Sequence, residues 1–109
     1  MREKTLSSVQ QTLIEAIETR KARVGVVGIG YVGLPLAVEK GKVRFPVLGF
    51  DRNPSRVSQI NAGENYIDDV DDAELTQLVR EGRLSATTDF GLLADCDVIV
   101  ICVPTPLTE

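Results

Sequence analysis

Residues 23–37 of this 109-residue chain, RVGVVGIGYVGLPLA, contain its clearest signal for a fold. The first part of this stretch is rich in valine, which favours β structure, and predicts a strand over Val24–Val27. A Gly-x-Gly-x-x-Gly turn follows at residues 28–33, and apolar residues at helical spacing then cover Val32 to about Lys40. Pro35 falls in the first turn of that helix, where backbone N–H groups have no intrahelical acceptor. The stretch therefore predicts a strand, a glycine turn and a helix in succession.

The same alternation of strands and helices continues along the rest of the chain. Helices are predicted from Asn53-Pro54, where asparagine is the N-cap, and from Asp71 onward, and a turn or short helix covers Asp89–Ala94. Further strands are predicted at Val47–Phe50, Leu84–Thr87 and Val98–Val103. Alternating strands and helices indicate a parallel sheet with right-handed crossovers. The predicted fold class is α/β, a Rossmann-type doubly wound parallel sheet truncated to about four strands, since a complete one has about six.

Residues 1–21 precede this pattern and predict an extra N-terminal helix. Its apolar side chains recur at helical spacing and are Leu6, Val9, Leu13, Ile14 and Ile17. Glu15 and Glu18 lie on the other side and would be repelled by anionic lipid, so we expect a packing or oligomer contact rather than a membrane-surface helix. The predicted organisation is an amphipathic helix over residues 1–21 and a partial Rossmann domain over residues 22–109.

Composition argues against several classes of function. Twelve basic and sixteen acidic residues give a net charge of −4, whereas a nucleic-acid partner would need a basic face. The chain has no histidine and only two cysteines, so it lacks the usual zinc ligands. The acidic residues at 68–74 are better explained as the start of a helix, where the helix dipole stabilises negative charge. We therefore expect no metal site. The longest aliphatic run, Val98–Val103, is too short to span a membrane. Cys96 and Cys102 are predicted to remain reduced, as in the cytoplasm, with Cys102 a buried thiol within a strand.

Each glycine of the Gly-x-Gly-x-x-Gly turn has a separate steric role. Gly28 permits the tight turn out of the strand, Gly30 lets the backbone approach a pyrophosphate, and Gly33 lets the helix pack close to the sheet. The N-terminus of that helix presents free N–H groups and a partial positive charge to phosphate oxygens. With a strand before the turn and a helix after it, the motif predicts a dinucleotide-binding site.

An acidic residue follows the second predicted strand. Asp51 has the spacing from Gly33 at which a carboxylate accepts hydrogen bonds from a ribose diol and repels a 2′-phosphate, so NAD is favoured over NADP. Arg52 is predicted to cover the adenine face, although a guanidinium there weakens the discrimination against a 2′-phosphate. The alternative role for Asp51 is that of a turn or cap residue ahead of Asn53-Pro54.

The segment after the fourth predicted strand is a second candidate for ligand contact. Val103, Pro104 and Thr105 follow a strand that a doubly wound order places beside the first strand, and ligands bind in that crevice. Pro104 and Pro106 stiffen the loop, and the Thr105 hydroxyl is predicted to face the cofactor. The alternative is a loop that only terminates the strand. The outer edge of this strand is expected to be unpaired and apolar, which favours self-association.

Several sequence segments together have the order and spacing of a known enzyme family. They are GIGYVGLPLA (28–37), GFDRN (49–53), NAGENYIDDV (61–70), TTDF (87–90) and DVIVICVPTPL (97–107). In these segments, over residues 22–108, the chain resembles the UDP-glucose/UDP-N-acetylhexosamine 6-dehydrogenases, the nucleotide-sugar dehydrogenases. Within the family it is most similar to the UDP-N-acetylglucosamine and UDP-N-acetylmannosamine branch of bacterial surface-polysaccharide synthesis. Residues 40–45 depart from the family in being more basic.

The resemblance implies the N-terminal, NAD-binding part of an enzyme that oxidises the C6 alcohol of a UDP-sugar to a uronate in two NAD-dependent steps. The cysteine, lysine and asparagine that carry this chemistry in the family lie further downstream. No residue of this chain, Cys96 and Cys102 included, is therefore assigned a catalytic role, and the chain alone is expected to be inactive. The implied partners are NAD and, in the complete enzyme, the UDP-sugar and further copies of the same subunit.

The resemblance also implies which residues bind NAD. Residues 28–33 form the pyrophosphate loop, in which Tyr31 and Val32 supply backbone amides. Asp51 binds the adenosine ribose and Arg52 lies on the adenine side, while residues 103–105 border the ribose and nicotinamide. The implied set is Gly28, Ile29, Gly30, Tyr31, Val32, Gly33, Asp51, Arg52, Val103, Pro104 and Thr105.

Two other functions are compatible with the glycine turn. A 3-hydroxyacid or 6-phosphogluconate type dehydrogenase has a similar first half, but the GYVGLP and VPTP segments argue against it. A non-catalytic NAD-sensing regulatory domain needs only the glycine turn and Asp51. A flavin or S-adenosylmethionine site has no support beyond the turn itself.

Overall fold

The structure, a computed structural model, describes residues 7–102 of the chain. Helices and parallel strands alternate along it, as the sequence predicts. The elements are α1 (Ser8–Glu18), β1 (Val24–Val27), α2 (Gly33–Lys42), β2 (Val47–Phe50), α3 (Pro54–Asn61), α4 (Asp72–Arg80), β3 (Leu84–Thr87), a 3₁₀ helix (Phe90–Asp95) and β4 (Val98–Ile101).

The strands form one sheet in the order β3-β2-β1-β4, with every neighbouring pair parallel. The chain moves from β1 outward to β2 and β3 and then returns to the other side of β1 as β4. Val27 at the end of β1 is therefore opposite both Phe50 of β2 and Ile101 of β4. This order confirms the predicted doubly wound α/β fold, and it places the point where the winding direction reverses between β1 and β4.

The core lies between the sheet and helices α2, α3 and α4. Alternate residues of β1 and β3, such as Val24, Val26 and Leu84, are buried on this face, as the two-residue period of a strand requires. Helix side chains that meet them, including Leu34, Ala37, Ile60 and Leu75, have no exposed surface. Burying one large aliphatic side chain contributes about 1.5–3 kcal/mol, so this face holds the helices that carry the site.

Side-chain caps begin two of these helices where the sequence predicts. The Asn53 side-chain oxygen accepts from the Ser55 N–H at 2.9 Å, and Pro54 is the first helical residue of α3. The Asp71 carboxylate accepts from the Glu74 N–H at 3.0 Å at the start of α4. Each cap satisfies a backbone donor that has no partner within its helix. The acidic run therefore contributes a helix cap.

β4 differs from the buried strand that its apolar sequence predicts. Ile99 and Ile101 are 46% and 67% exposed, because β4 is an edge of the described sheet. The strand ends at Ile101, so Cys102 follows it, partly exposed, rather than lying buried within it. Cys96 and Cys102 form no disulfide with each other.

Helix α1 attaches to the domain through the residues that follow it. The helix ends at Glu18, and Arg20 then adopts the left-handed region with φ of 64°. The Arg20 guanidinium donates to the Val43 carbonyl at 3.1 Å and lies 5.2 Å from the centre of the Phe45 ring. Residues 1–6 of the predicted N-terminal helix lie outside the described residues. Within residues 7–102, no helix is long and apolar enough to cross a membrane.

We expect Gly33→Ala to destabilise the fold by about 3 kcal/mol, since over-packing a tight contact costs roughly that much. A Cβ at Gly33 would lie 1.6 Å from the backbone oxygen of Gly28, so α2 would have to move off the sheet. Urea unfolding followed by circular dichroism measures the change in free energy. Gly30→Ala is the control, because its Cβ would meet only the Arg56 side chain, at 3.4 Å. Equal unfolding midpoints for the two variants would contradict the prediction.

Candidate functional site

A cleft of about 630 Å³ opens at the carboxyl ends of β1, β2 and β4. It lies at the reversal of the winding direction, which is where α/β folds of this order bind their ligands. Its lining is formed by Val27, Gly28, Gly30, Tyr31, Val32, Phe50, Asp51, Arg52, Arg56, Phe90 and Cys102. These residues combine two arginines and one carboxylate with an apolar floor, so the cleft suits a ligand with both charged and aromatic parts.

The glycine turn enters the cleft from β1. Gly28 has φ of +90°, a conformation that strains any residue with a Cβ, and its N–H donates to the Phe50 carbonyl at 2.7 Å. Helix α2 begins at Gly33, and the side chain of its N-cap residue, Val32, makes no capping hydrogen bond. In the first turn of α2 the Leu34 N–H already donates to the Gly30 carbonyl at 3.0 Å and Pro35 has no N–H, so the donor that this end offers to a ligand is the Gly33 N–H. A helix N-terminus in this state is suited to binding an anion.

Asp51 lies directly after β2 and is fixed by three contacts. One carboxylate oxygen, Oδ2, accepts from the Ile29 N–H at 3.2 Å and lies 3.5 Å from Nη1 of Arg56. The other, Oδ1, accepts from the Asn53 N–H at 2.9 Å. The Asn53 contact is the turn role that the sequence left open for Asp51. The contact with Ile29 shows that the same carboxylate also joins the end of β2 to the glycine turn.

Arg56 is a cleft residue that the sequence analysis missed. Arg52 is exposed and lines the cleft as predicted, but the arginine that faces the Asp51 carboxylate is Arg56, in the first turn of α3. Its Nη1 lies only 3.4 Å from the point where a Cβ on Gly30 would be. The signal was present in the sequence, since a helix that begins at Pro54 brings its first turn back toward Asp51.

Tyr66 lies beneath the same arginine. Its hydroxyl donates to the backbone carbonyl of Ile29, and the centre of its ring is 5.8 Å from the Arg56 guanidinium carbon. Burial raises the pKa of Tyr66 to about 12, against the opposing effect of the Arg56 charge and with a further increase from Asp51. Tyr66 does not line the cleft, so it acts on the site only through the residues that it contacts.

The predicted site residues thus fall into three groups. Those that the structure brings together in the lining of the cleft are Gly28, Gly30, Tyr31, Val32, Asp51 and Arg52. Ile29 and Gly33 are buried behind the lining, where Ile29 bonds to Asp51 and Tyr66 while Gly33 contacts the Gly28 oxygen. Val103, Pro104 and Thr105 lie outside the described residues. Among residues 7–102, no group of acidic and cysteine side chains is arranged to hold a metal ion.

The raised pKa of Tyr66 predicts a loss of stability in strong alkali. The free phenol ionises near 10 and the folded one near 12, so unfolding releases a proton between these values and stability falls as pH rises through that window. In a Tyr31→Phe background Tyr66 is the only tyrosine, and absorbance titration should give a midpoint near 12. The pH-dependent loss, measured by urea unfolding, should shrink in Tyr66→Phe. A midpoint near 10 would contradict the burial of this hydroxyl.

Comparison with known proteins identifies the family of this domain. Residues 22–109 match the UDP-glucose/GDP-mannose dehydrogenase family, NAD binding domain. UDP-N-acetyl-D-glucosamine 6-dehydrogenase from Pseudomonas aeruginosa is 46% identical over 87 residues, which are 80% of this chain and 20% of that protein. UDP-N-acetyl-D-mannosamine dehydrogenase from Pyrococcus horikoshii is 33% identical over 87 residues, which are 79% of this chain and 21% of that protein. The chain thus spans about a fifth of the length of these relatives.

Solved structures give the same result for the fold. GDP-mannose dehydrogenase from Pseudomonas aeruginosa superposes with a TM-score of 0.73 at 37% identity, covering 80% of this chain and 20% of that one. NDP-N-acetyl-D-galactosaminuronic acid dehydrogenase from Methanosarcina mazei superposes with a TM-score of 0.75 at 26% identity, covering 96% of this chain and 24% of that one. The resemblance in the sequence motifs is confirmed, and so is NAD as the cofactor of this kind of domain. The chain belongs to the UDP-glucose/GDP-mannose dehydrogenase family and carries its NAD-binding domain.

Proposed function

We propose that this chain is the NAD-binding part of a nucleotide-sugar 6-dehydrogenase that converts the C6 alcohol of a UDP-N-acetylhexosamine, or of UDP-glucose, to the uronate in two NAD-dependent steps. The observation that carries the proposal is the position of the Asp51 carboxylate, at the end of β2, beside the uncapped start of α2 in one cleft. A dinucleotide needs hydrogen-bond donors for its pyrophosphate and an acceptor for its ribose, and this fold provides them at the ends of two neighbouring strands.

The residues present fit NAD. A Cβ at Gly30 would meet only the Arg56 side chain, so no backbone atom obstructs the approach of a pyrophosphate to the turn, where backbone N–H groups can bind it. The Asp51 carboxylate would hold the adenosine ribose, with Arg52 on the adenine side; Arg56 lines the same cleft beside Asp51. Residues 103–105 are proposed to border the ribose and nicotinamide. NAD, when bound, accepts a hydride. The role of this chain is to bind and orient the NAD.

The Asp51 carboxylate can accept only a few more hydrogen bonds, so a ribose diol would compete with Arg56 for its oxygens. A carboxylate accepts about four hydrogen bonds, and the Asn53 and Ile29 N–H groups already use two of these positions. The diol has two hydroxyl donors, so it takes the remaining positions and replaces the long contact to Arg56, at 3.5 Å. The Arg56 guanidinium, still over the Tyr66 ring, then has no carboxylate partner and is available to the phosphates of the ligand. The binding of NAD is thus proposed to exchange one partner of Asp51 for another.

The rest of the activity is proposed to lie in other parts of the protein. The relatives oxidise named nucleotide sugars and are about five times as long as the matched region, so the substrate site and the reacting cysteine are assigned to sequence beyond it. On this proposal Cys96 and Cys102 have no catalytic role, and residues 22–109 are a partial NAD-binding domain preceded by an appended helix over residues 1–21. The complete enzyme is proposed to be cytoplasmic and homo-oligomeric, and of bacterial origin.

Calorimetric titration with NAD and with NADP tests the cofactor site. Wild-type protein should bind NAD saturably and more tightly than NADP. Asp51→Asn should weaken NAD binding by about tenfold or more, because a charged acceptor for the ribose is lost, and should reduce the preference over NADP. Asp69→Asn is the matched control, since it removes the same charge from an exposed position away from the cleft. Equal NAD affinities for the two variants would remove Asp51 from the site.

We also propose that this chain self-associates at the exposed edge of β4, separately from the oligomer of the complete enzyme. Ile101 is 67% exposed on an unpaired strand edge of the described sheet, so we expect the chain to self-associate there. Ile101→Lys should shift the sedimentation coefficient toward that of a monomer, because a charged side chain on an edge opposes pairing. Ser85→Lys, on the opposite edge strand β3, is the control and should leave association unchanged. Wild-type protein that sediments as a monomer at high concentration would contradict this part of the proposal.

A further inference from the structure

Ile29, in the glycine turn, is held by hydrogen bonds at both its backbone N–H and its backbone carbonyl. The N–H of Ile29 donates to Asp51, its carbonyl accepts from the Tyr66 hydroxyl, and its side chain is fully buried. The packing is tight, since Cγ2 of Ile29 lies 2.8 Å from where a Cβ on Gly49 would be. Of these anchors, Tyr66 comes from the loop between α3 and α4. It lies 37 positions along the chain from Ile29.

Tyr66 also determines where Arg56 can lie. The guanidinium is above the Tyr66 ring, at 5.8 Å, and its Nη1 is 3.5 Å from Asp51. An aromatic face attracts a cation, so the ring holds the guanidinium between itself and the carboxylate, next to Gly30. One side chain outside the cleft thus contacts both the turn proposed to bind the pyrophosphate and the arginine beside it.

The segment that carries Tyr66 is itself well ordered by local contacts. The side-chain oxygen of Asn65 accepts from the Ile67 N–H at 2.9 Å, and its amide nitrogen donates to Asp72 Oδ1 at 2.7 Å, at the start of α4. Ile67 and Val70 are buried in the core. The phenol is therefore held in place independently of the residues that line the cleft.

We propose that Tyr66 is a positioning residue for the dinucleotide: its ring places the Arg56 guanidinium beside the cleft, and its hydroxyl fixes the Ile29 carbonyl, so that turn and arginine are ordered before the ligand arrives. This inference rests on the proposed function and deepens it. Ordering a long side chain during binding weakens affinity, and a group that orders it beforehand removes that cost from the binding step. Tyr66 touches no part of the ligand in this scheme and acts through Arg56 and Ile29.

A double-mutant cycle separates this role from a purely structural one. NAD is titrated calorimetrically into wild type, Tyr66→Met, Arg56→Gln and the double variant, with folding of each confirmed by circular dichroism. Tyr66→Met retains an apolar side chain of similar length but has neither ring nor hydroxyl. We expect it to weaken NAD binding about tenfold, and we expect the double variant to bind NAD nearly as well as Arg56→Gln alone. If Tyr66 were needed only for packing, Tyr66→Met would lower stability, but its effect on NAD affinity would not depend on whether Arg56 is present.

Tyr66→Phe supplies the conservative comparison. It keeps the ring beneath Arg56 and loses the hydroxyl, so we expect it to recover most of the affinity lost in Tyr66→Met and to remain about two- to threefold weaker than wild type. Fully additive effects of Tyr66→Met and Arg56→Gln would overturn the inference. If Tyr66→Met does not fold, Tyr66→Phe decides, and an affinity equal to that of wild type overturns the inference. A wild-type chain that binds no NAD overturns the proposed function first, and this inference with it.

Discussion

The close approach of Gly33 to the backbone oxygen of Gly28 fixes where helix α2 can begin relative to β1. A Cβ at Gly33 would lie 1.6 Å from that oxygen, so only glycine lets α2 begin this close to the end of β1. The close start allows Leu34 and Ala37 to reach the sheet and become fully buried. It also places the start of α2, which has no side-chain cap, at the carboxyl edge of the sheet. One steric requirement therefore determines both the packing of the core helix and the position of the anion-binding donors.

The cleft follows from the register of three neighbouring strands. Because Val27 is opposite both Phe50 and Ile101, the residues that come next on the three strands are side by side. These residues are Gly28, Asp51 and Cys102, and all three line the cleft. Backbone hydrogen bonds carry the register to this level, from the Gly28 N–H to the Phe50 carbonyl and from the Cys102 N–H to the Val27 carbonyl, each at 2.7 Å. Strand pairing, rather than a mobile loop, thus determines which side chains meet at the site.

The sequence predicted the parts of the fold that depend on local chemistry. The glycine turn, the Asn53-Pro54 and Asp71 helix starts and the apolar strands are short-range signals, and the structure has each of them where expected. The half-exposed state of β4 was missed, because an apolar strand is buried only where both of its faces are covered. Tyr66 was missed for a different reason: its contacts with Arg56 and Ile29 depend on how distant segments pack, and no periodicity in the sequence reports that.

The site divides into a fixed part and an adjustable part, and this division follows from burial. The Asp51 side chain is 12% exposed and is held by backbone N–H groups, whereas the Arg56 side chain is 42% exposed and contacts Asp51 at a longer distance. A ligand that enters the cleft therefore meets a carboxylate held by hydrogen bonds and a guanidinium held by weaker contacts with Asp51 and the Tyr66 ring. In the proposed function, the Asp51 carboxylate selects the ribose, while the Arg56 guanidinium meets the charge of the phosphates. Fixing Arg56 more tightly to Asp51 would oppose binding, because the ribose diol must compete for the same oxygen. The ring of Tyr66 avoids that conflict, since it holds the guanidinium near the cleft without using an acceptor that the ligand needs.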